Sequence, residues 1–99
     1  MVYKEADGKE SVYEGSWRND KRDGRGLMKW SHGPVYEGGW RADLKHGKKA
    51  DGLGGTYTWP SGYKYVGDWE DGKQSGQGEC DYPNGSWYGG SWKDNKKHG

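Results

Sequence analysis

Four copies of the pattern Tyr-x-Gly-x-Trp decide the fold of this chain. They read YEGSW at 13–17, YEGGW at 36–40, YVGDW at 65–69 and YGGSW at 88–92. Successive copies begin 23, 29 and 23 residues apart. A second pattern follows each of the first three copies, as GLMKWSHG at 26–33, GTYTWPSG at 55–62 and GECDYPNG at 78–85. A period of this length is the signature of a repeat architecture, and the 29-residue interval places six extra residues between Leu44 and Gly54.

Both patterns alternate with a period of two residues, which is typical of β-strands. Tyr13, Gly15 and Trp17 fall on one face, and the second pattern puts these pairs on one face: Met28 with Trp30, Tyr57 with Trp59, and Cys80 with Tyr82. The connections at 18–23, 41–53, 70–75, 93–98, 31–34, 60–62 and 83–85 are rich in Gly, Pro, Asn and Asp and read as turns. We predict seven short strands from 13–17 through 88–92, with 2–5 as a candidate eighth. The glycine inside each Tyr-x-Gly-x-Trp should leave room for a ring of the neighbouring strand.

The composition requires an aromatic core. The 99 residues suit one domain, and only three Leu and four Val stand beside 7 Trp, 8 Tyr and 20 Gly. So few aliphatic residues are typical of disorder, but each buried ring removes about 150–250 Å² from water. We find no apolar stretch of membrane-spanning length and no apolar segment after Met1, so we expect neither a membrane span nor a secretory signal.

These patterns resemble the MORN (membrane occupation and recognition nexus) repeat. The resemblance rests on Tyr-x-Gly-x-Trp, on the Gly-x-Gly at 24–26 and 76–78, on YPNG at 82–85, and on the His-Gly turns at 46–47 and 98–99. It covers about 12–99 and implies an all-β fold: an elongated, single-layer antiparallel sheet of consecutive β-hairpins, twisted or curled. The units are 13–35, 36–64, 65–87 and a partial 88–99. Residues 1–12 are a degenerate half-repeat or an N-terminal cap. The insertion leaves open the tip geometry of the second hairpin.

Catalytic and metal chemistry have little support in the sequence. His46 and His98 recur at the same repeat position, in turns, and Cys80 takes the place that Met28 and Tyr57 hold in other repeats. We interpret Cys80 as a small buried hydrophobic residue. Metal ligands need short, clustered spacings, which are absent from this sequence. We therefore expect no enzyme activity, no metal and no cofactor, and the net charge of +1 argues against binding nucleic acid.

The aromatic face is the predicted site for a protein partner. The residues assigned to it are Trp17, Trp30, Tyr36, Trp40, Tyr57, Trp59, Tyr65 and Trp69. Sheet twist should curl the face into a trough, built by Trp30, Trp40, Trp59 and Trp69, that holds an amphipathic helix or an extended peptide. A lesser alternative is that the rings bind a sugar or a choline-like ligand.

The hairpin tips are the second candidate site. Taken as 18–25, 41–51, 70–77 and 93–98, they contain twelve Lys or Arg against seven acidic residues, and all tips should lie along one edge of the sheet. The cations proposed to contact anionic phospholipid are Arg18, Lys21, Arg22, Arg41, Lys45, Lys48, Lys49, Lys96 and Lys97. Peripheral attachment to an anionic membrane is therefore the alternative to protein binding, and rising salt should weaken it.

The function predicted from these features is a non-catalytic scaffold or adaptor. The resemblance implies a cytoplasmic protein in a cytoskeletal, ciliary or membrane-contact assembly, because members of the family serve as scaffolds in such structures. The last Tyr-x-Gly-x-Trp has no second pattern after it and should present an open strand edge. We therefore expect either end-to-end association of copies or a longer natural chain.

Overall fold

A computed structural model of the protein describes residues 2–4 and 8–97. Two features discussed above, the middle of the N-terminal half-repeat at 5–7 and the His-Gly turn at 98–99, lie outside the described residues. The strands are β1 Val2–Lys4, β2 Glu10–Arg18, β3 Lys21–Lys29, β4 Val35–Arg41, β5 Leu44–Lys45, β6 Gly55–Thr58, β7 Lys64–Glu70, β8 Lys73–Asp81, β9 Trp87–Lys93 and β10 Lys96–Lys97.

The strands form one open antiparallel sheet, as the sequence predicted. Its order is β1-β2-β3-β4-β6-β7-β8-β9-β10, and β5 pairs with the end of β4. Because the chain consists of hairpin repeats, each strand lies beside the strand that follows it in sequence. The sheet does not close into a barrel. The molecule is elongated, with extents of 39 × 30 × 19 Å. The described residues contain no α-helix.

The described residues form ten strands, where the sequence predicted seven or eight, because the hairpin tips are tighter than expected. Two residues with positive φ turn each tip, and these pairs are Asn19-Asp20, Ala42-Asp43, Asp71-Gly72 and Asp94-Asn95. Positive φ at both positions is the type I′ turn, whose twist matches that of the strands on either side. The strands therefore continue to the turns, where the sequence predicted long connections. β5 and β10 are the short returning arms of two tips.

A row of facing glycines crosses the sheet beneath the aromatic rings. Gly26 lies between Gly15 and Gly38, and Gly78 lies between Gly67 and Gly90. A Cβ on Gly26 would collide with the ring of Tyr13, and Gly55 and Gly78 lie in the same way under Tyr36 and Tyr65. The glycine that makes room for a neighbouring strand's ring is thus the one that opens the second pattern. The glycine inside Tyr-x-Gly-x-Trp instead faces another glycine.

The core is a ladder of rings that stand edge to face. Within strands, Tyr13–Trp17, Tyr36–Trp40, Tyr65–Trp69 and Tyr88–Trp92 have centroids 5.0–5.5 Å apart. Between repeats, Tyr13–Trp40, Tyr36–Trp69 and Tyr65–Trp92 lie at 5.2–5.7 Å. Trp40, Trp69 and Trp92 each donate Nε1–H to a glycine carbonyl of the row, that of Gly26, Gly55 and Gly78 respectively. The rings thus form one continuous ladder, which runs from the first repeat to the last.

The inserted segment projects from the second hairpin, and the turn at the tip of that hairpin is unchanged. Residues Lys49–Asp51 form a single 3₁₀ turn with no buried side chain. The sheet continues on both sides of the insertion, since Gly47 pairs with Trp69 and the carbonyl of Leu53 accepts the N–H of Gly39 at 3.1 Å. The tip at Ala42-Asp43 has the same type I′ turn as the others.

Candidate partner-binding face

A second line of rings lies beside the buried ladder. These outer rings, as we call them, are Trp30, Tyr57, Trp59, Tyr63 and Tyr82. All are half-buried and follow one another with centroids 5.6, 4.3, 4.6 and 5.1 Å apart. Most ladder side chains are almost closed to solvent, at 0–5% exposure, whereas the outer rings keep one side open; the closed ones are Tyr13, Tyr36, Trp40, Tyr65, Trp69 and Trp92. The outer rings are therefore the part of the aromatic face that a ligand could contact.

Three cations lie over this face. The Arg22 guanidinium is 4.5 Å from the ring centre of Trp40 and 5.9 Å from that of Tyr13. Lys45 Nζ lies 5.5–5.7 Å from the ring centres of Trp30, Tyr57 and Trp69. Lys97 Nζ lies 5.1 and 5.0 Å from those of Tyr82 and Tyr88. The distances are those of cation–π contacts, so the protein supplies its own cations to its rings.

The position of these cations follows from the repeat. Arg22, Lys45, Gln74 and Lys97 each come five residues after the tryptophan of their unit. Each is also the cross-strand partner of that tryptophan, and partners share a face of the sheet. A register shift between Gly15 and Trp17, repeated between Gly67 and Trp69, brings this position opposite the tryptophan. Only the third unit has an uncharged residue here, Gln74.

Adjacent hairpin tips are joined through the same position. Asp43 N–H donates to the carbonyl of Arg22 at 3.0 Å, and Arg22 N–H donates to Asp43 Oδ1 at 2.7 Å. Asn95 and Gln74 repeat the exchange at 3.0 and 2.8 Å. The Arg22 Nε–Asp43 Oδ1 ion pair, 3.1 Å long, adds charge to the first joint. The backbone N–H and then the guanidinium of Arg22 hold the pKa of Asp43 below its usual value.

Two clefts open on the face. The first, of about 710 Å³, is lined by Tyr3, Ser11, Trp17, Asp20, Arg22, Met28, Trp30 and Asp43. We call it the N-terminal cleft. The second, of about 370 Å³, is lined by Lys45, Tyr57, Trp59, Tyr63, Trp69, Gly72, Gln74 and Asn95, and we call it the central cleft. Lys45 touches rings of both clefts, so its ammonium marks the boundary between them.

The rings assigned to the partner face from sequence divide into two groups. Trp30, Tyr57 and Trp59 are half-buried, and Trp17 is 40% exposed. The remaining four, Tyr36, Trp40, Tyr65 and Trp69, are buried in the ladder, at 0–4% exposure. These four support the face from below and offer little surface to a partner.

The nine cations assigned to the tips divide as well. Six are exposed along the tip edge: Arg18, Lys21, Arg41, Lys48, Lys49 and Lys96. Arg22, Lys45 and Lys97 instead lie over the rings, as described above. Nine Lys or Arg therefore remain at the tips against seven acidic residues, so the edge is closer to neutral than the sequence count suggested.

Several residues of the face were missed in the sequence. Tyr63 and Tyr82 are outer rings, and Gln74 lines the central cleft at 5% exposure. The shared spacing of five residues from each tryptophan was the signal for Gln74. Trp87 lies on the opposite face, next to Tyr88 in β9, and at 69% is the most exposed large hydrophobic residue among those that the structure describes.

Chemistry at Cys80 is disfavoured by its surroundings. The side chain is fully buried, and Sγ lies 2.7 Å from Tyr63 Oη. Burial raises the pKa of the Cys80 thiol, whereas a nucleophilic cysteine needs a lowered one. His46 has a structural contact, because its Nδ1 accepts the N–H of Asp71 at 3.2 Å in the next tip. Among the described residues, no group of three His, Cys, Asp or Glu could hold a metal ion, and no helix is long and apolar enough to cross a membrane.

The repeat seen in the strands also matches a known family. The model of the MORN repeat matches residues 13–33, 36–48, 55–62, 65–87 and 88–99. The chain belongs to the MORN repeat family. The five matched segments leave out 49–54, most of the insertion, which the 3₁₀ turn sets apart from the sheet. MORN repeats are in general a non-catalytic scaffold.

Proteins named Alsin resemble the chain over nearly its whole length. It is 37% identical to Alsin of Rattus norvegicus, and 36% identical to Alsin of Mus musculus and of Homo sapiens. Each match runs over 102 aligned residues and covers 98% of this chain but 6% of the relative. The chain thus spans a small part of the length of these relatives.

Proposed function

We propose that this MORN array binds an amphipathic protein segment across its aromatic face. The observation that carries the proposal is the line of outer rings, which stays half-open to solvent above a closed ladder and borders two clefts. Apolar surface arranged in this way is typical of an interaction site. The ladder beneath the outer rings holds them in place, so little ordering is needed on binding.

The dimensions of the face suit a helix or an extended peptide. The sheet is 39 Å in its longest direction, and a 20-residue helix is about 30 Å long and about 10 Å thick. The outer rings recur from Trp30 in the first unit to Tyr82 in the third. Apolar anchors at i, i+3, i+4 and i+7 of a helix could therefore meet rings along most of the sheet.

The alternatives have weaker support. Attachment to an anionic membrane through the tips depends on a basic edge, and three of its cations lie over the rings instead. A choline-like ligand would need an empty aromatic platform. Lys45 and Lys97 already occupy two of these platforms. A salt series with phosphatidylserine vesicles would detect membrane binding, which should fade as salt rises.

Trp59 and Trp87 provide the test, since they lie on opposite faces of the sheet. Immobilised wild-type protein, Trp59→Ala and Trp87→Ala are each used to capture proteins from an extract of the source cell. A candidate is then purified and its affinity for the three proteins is measured. We expect Trp59→Ala to weaken binding by about tenfold or more, because buried aromatic anchors dominate interfaces. Trp87→Ala should bind like wild type.

Fluorescence quenching by acrylamide gives an independent readout. A partner on the aromatic face should protect Trp30 and Trp59 from the quencher and leave Trp87 exposed. A partner whose affinity falls with Trp87→Ala but not with Trp59→Ala would place binding on the other face and refute the proposal.

A further inference from the structure

Lys45 differs from the other cations of the aromatic face. Arg22 has a carboxylate partner in Asp43, and Lys97 is exposed at the end of the array. The Lys45 ammonium is half-buried over three rings and forms no ion pair with any acidic residue in the described part of the chain. Burial lowers the pKa of Lys45, and the charge of Arg22 acts in the same direction. The cation–π contacts offset only part of the hydration free energy that this ammonium loses on burial.

Gln74 adds a side-chain amide to the central cleft, which Lys45 also lines. Its backbone N–H is held by Asn95, and its side chain is nearly buried. The side-chain amide makes no hydrogen bond within 2–4 and 8–97, although none of its atoms is sealed off from solvent. The other three units have a cation at this position. The central cleft therefore contains one ammonium and one free amide, both able to donate hydrogen bonds.

The two clefts have opposite charge character. The N-terminal cleft is lined by Asp20 and Asp43 around a single Arg22. The central cleft is lined by Lys45 and has no acidic residue among its lining side chains. An anionic group is thus favoured in the central cleft and disfavoured in the N-terminal one. The walls of the central cleft are rings, namely Tyr57, Trp59, Tyr63 and Trp69, so its occupant should bring apolar surface together with the charge.

We propose that the central cleft receives the carboxylate of an Asp or Glu side chain carried by the amphipathic segment that binds the outer rings. Lys45 and the Gln74 amide donate to the carboxylate, and apolar neighbours on the same segment cover the rings. This inference rests on the proposed function and adds the chemistry of the partner. An inorganic anion would meet the ammonium but leave the ring walls in water, which is why a protein segment is the occupant.

The experiment selects partners without assuming their sequence. A display library of random peptides, about 16 residues long, is selected against the wild-type array. Binders that protect the outer-ring tryptophans from acrylamide are kept. We expect them to share an acidic residue among apolar positions. Replacing that residue by its amide, Glu→Gln or Asp→Asn, should weaken binding to the wild-type protein by about 10- to 100-fold, as for a charge-assisted hydrogen bond.

Lys45→Met is the protein variant that completes a double-mutant cycle with the acidic and amide peptides. Binding of the acidic peptide to this variant should fall by a similar factor, and the amide peptide should bind both proteins nearly alike. Lys64→Met, an exposed lysine on the opposite face, is the matched control and should leave the acid preference unchanged. The comparison of acidic and amide peptides on the wild-type protein needs no variant, so it remains decisive if Lys45→Met fails to fold.

Each outcome has a separate meaning. Peptides that protect the outer rings but show no acid preference would overturn this inference and leave the proposed function standing. Failure to select any peptide that protects the outer rings would overturn both. Phosphatidylserine vesicles that protect the same tryptophans through Lys45, when acidic peptides do not, would make the site a lipid site and also overturn the inference.

Discussion

Gly55→Ala tests the contact on which the ladder depends. A Cβ at Gly55 would overlap the ring of Tyr36, which is fully buried. The ring cannot move freely, because its hydroxyl donates to the carbonyl of Gly39 at 2.8 Å and its faces and edges meet Trp40 and Trp69 at 5.1 and 5.4 Å. The extra methyl group must therefore displace a ring that several contacts hold.

The expected loss can be estimated from those contacts. Overpacking costs about 1–3 kcal/mol, the hydrogen bond is worth about 1 kcal/mol, and each edge-to-face pair about 0.5–1.5 kcal/mol. Because the ring should shift rather than leave, only part of each contribution is lost, and we expect a decrease of about 2–4 kcal/mol in the free energy of unfolding. That is a large share of the roughly 5–15 kcal/mol typical of a domain.

Gly89→Ala is the matched control. Gly89 also lies within a strand, and a Cβ there would meet exposed side chains, Trp87 at 3.1 Å and Glu79 at 3.4 Å. Alanine is favoured over glycine in a strand by about 0.5–1 kcal/mol, so this variant should be neutral or slightly stabilised. Urea unfolding followed by circular dichroism measures both variants. Equal stability of Gly55→Ala and Gly89→Ala would show that Tyr36 does not lie over Gly55.

Three further predictions follow from the described contacts. Asp43→Asn keeps a hydrogen-bond acceptor for Arg22 but removes the charge, and should cost less than about 1 kcal/mol at pH 7 because the ion pair is partly exposed. The pKa of Asp43 is lowered in the folded protein, so the stability that its charge contributes is fully present above the usual aspartate pKa of about 4. The difference in free energy of unfolding between wild type and Asp43→Asn should therefore vanish as the pH falls through the lowered, folded-state pKa. Cys80 should react with a thiol reagent at pH 8 at least about 100-fold more slowly in the folded protein than in urea, because it is fully buried and its pKa is raised; equal rates would contradict its burial. Deleting 48–53 joins Gly47 to Gly54-Gly55, which restores the Gly-x-Gly spacing, and should change the free energy of unfolding by less than about 1 kcal/mol, measured by urea unfolding.

The sequence predicted the sheet and its aromatic side because both depend on short-range order. Period-two alternation assigns side chains to faces, and a repeated spacing assigns neighbouring strands to equivalent positions. The ring ladder from Tyr13 to Trp92 follows from these two facts alone. The two-residue tips could also have been read from pairs such as Asn19-Asp20 and Asp71-Gly72, whose residue types tolerate positive φ.

The same reasoning did not predict that cations lie over the rings. Which residue lies opposite Trp17 depends on a register shift of two residues in the hairpin, which makes Arg22 rather than Gly24 its partner, and period-two alternation does not reveal such a shift. A lysine or arginine near a turn also has a long, flexible side chain that can point into water or fold back. Its direction is decided by rings from the next repeat, such as Trp40 beneath Arg22, and one hairpin considered alone does not contain them.

A single-layer sheet places its core and its binding face on the same side. No second layer covers the rings in the described structure, so the ladder shields itself by standing edge to face. The Tyr of the preceding repeat covers Trp40, Trp69 and Trp92 in this way. The outer rings have no such cover, since the next layer outward is solvent. In the proposed function, the bound segment supplies the missing layer and buries apolar surface that folding left exposed. Binding and stability must then be linked, because a partner that binds only the folded array raises its stability by about 2.7 kcal/mol at a free concentration 100 times its Kd. Under the proposed function, the half-open outer rings are the part of the aromatic face that the partner segment covers.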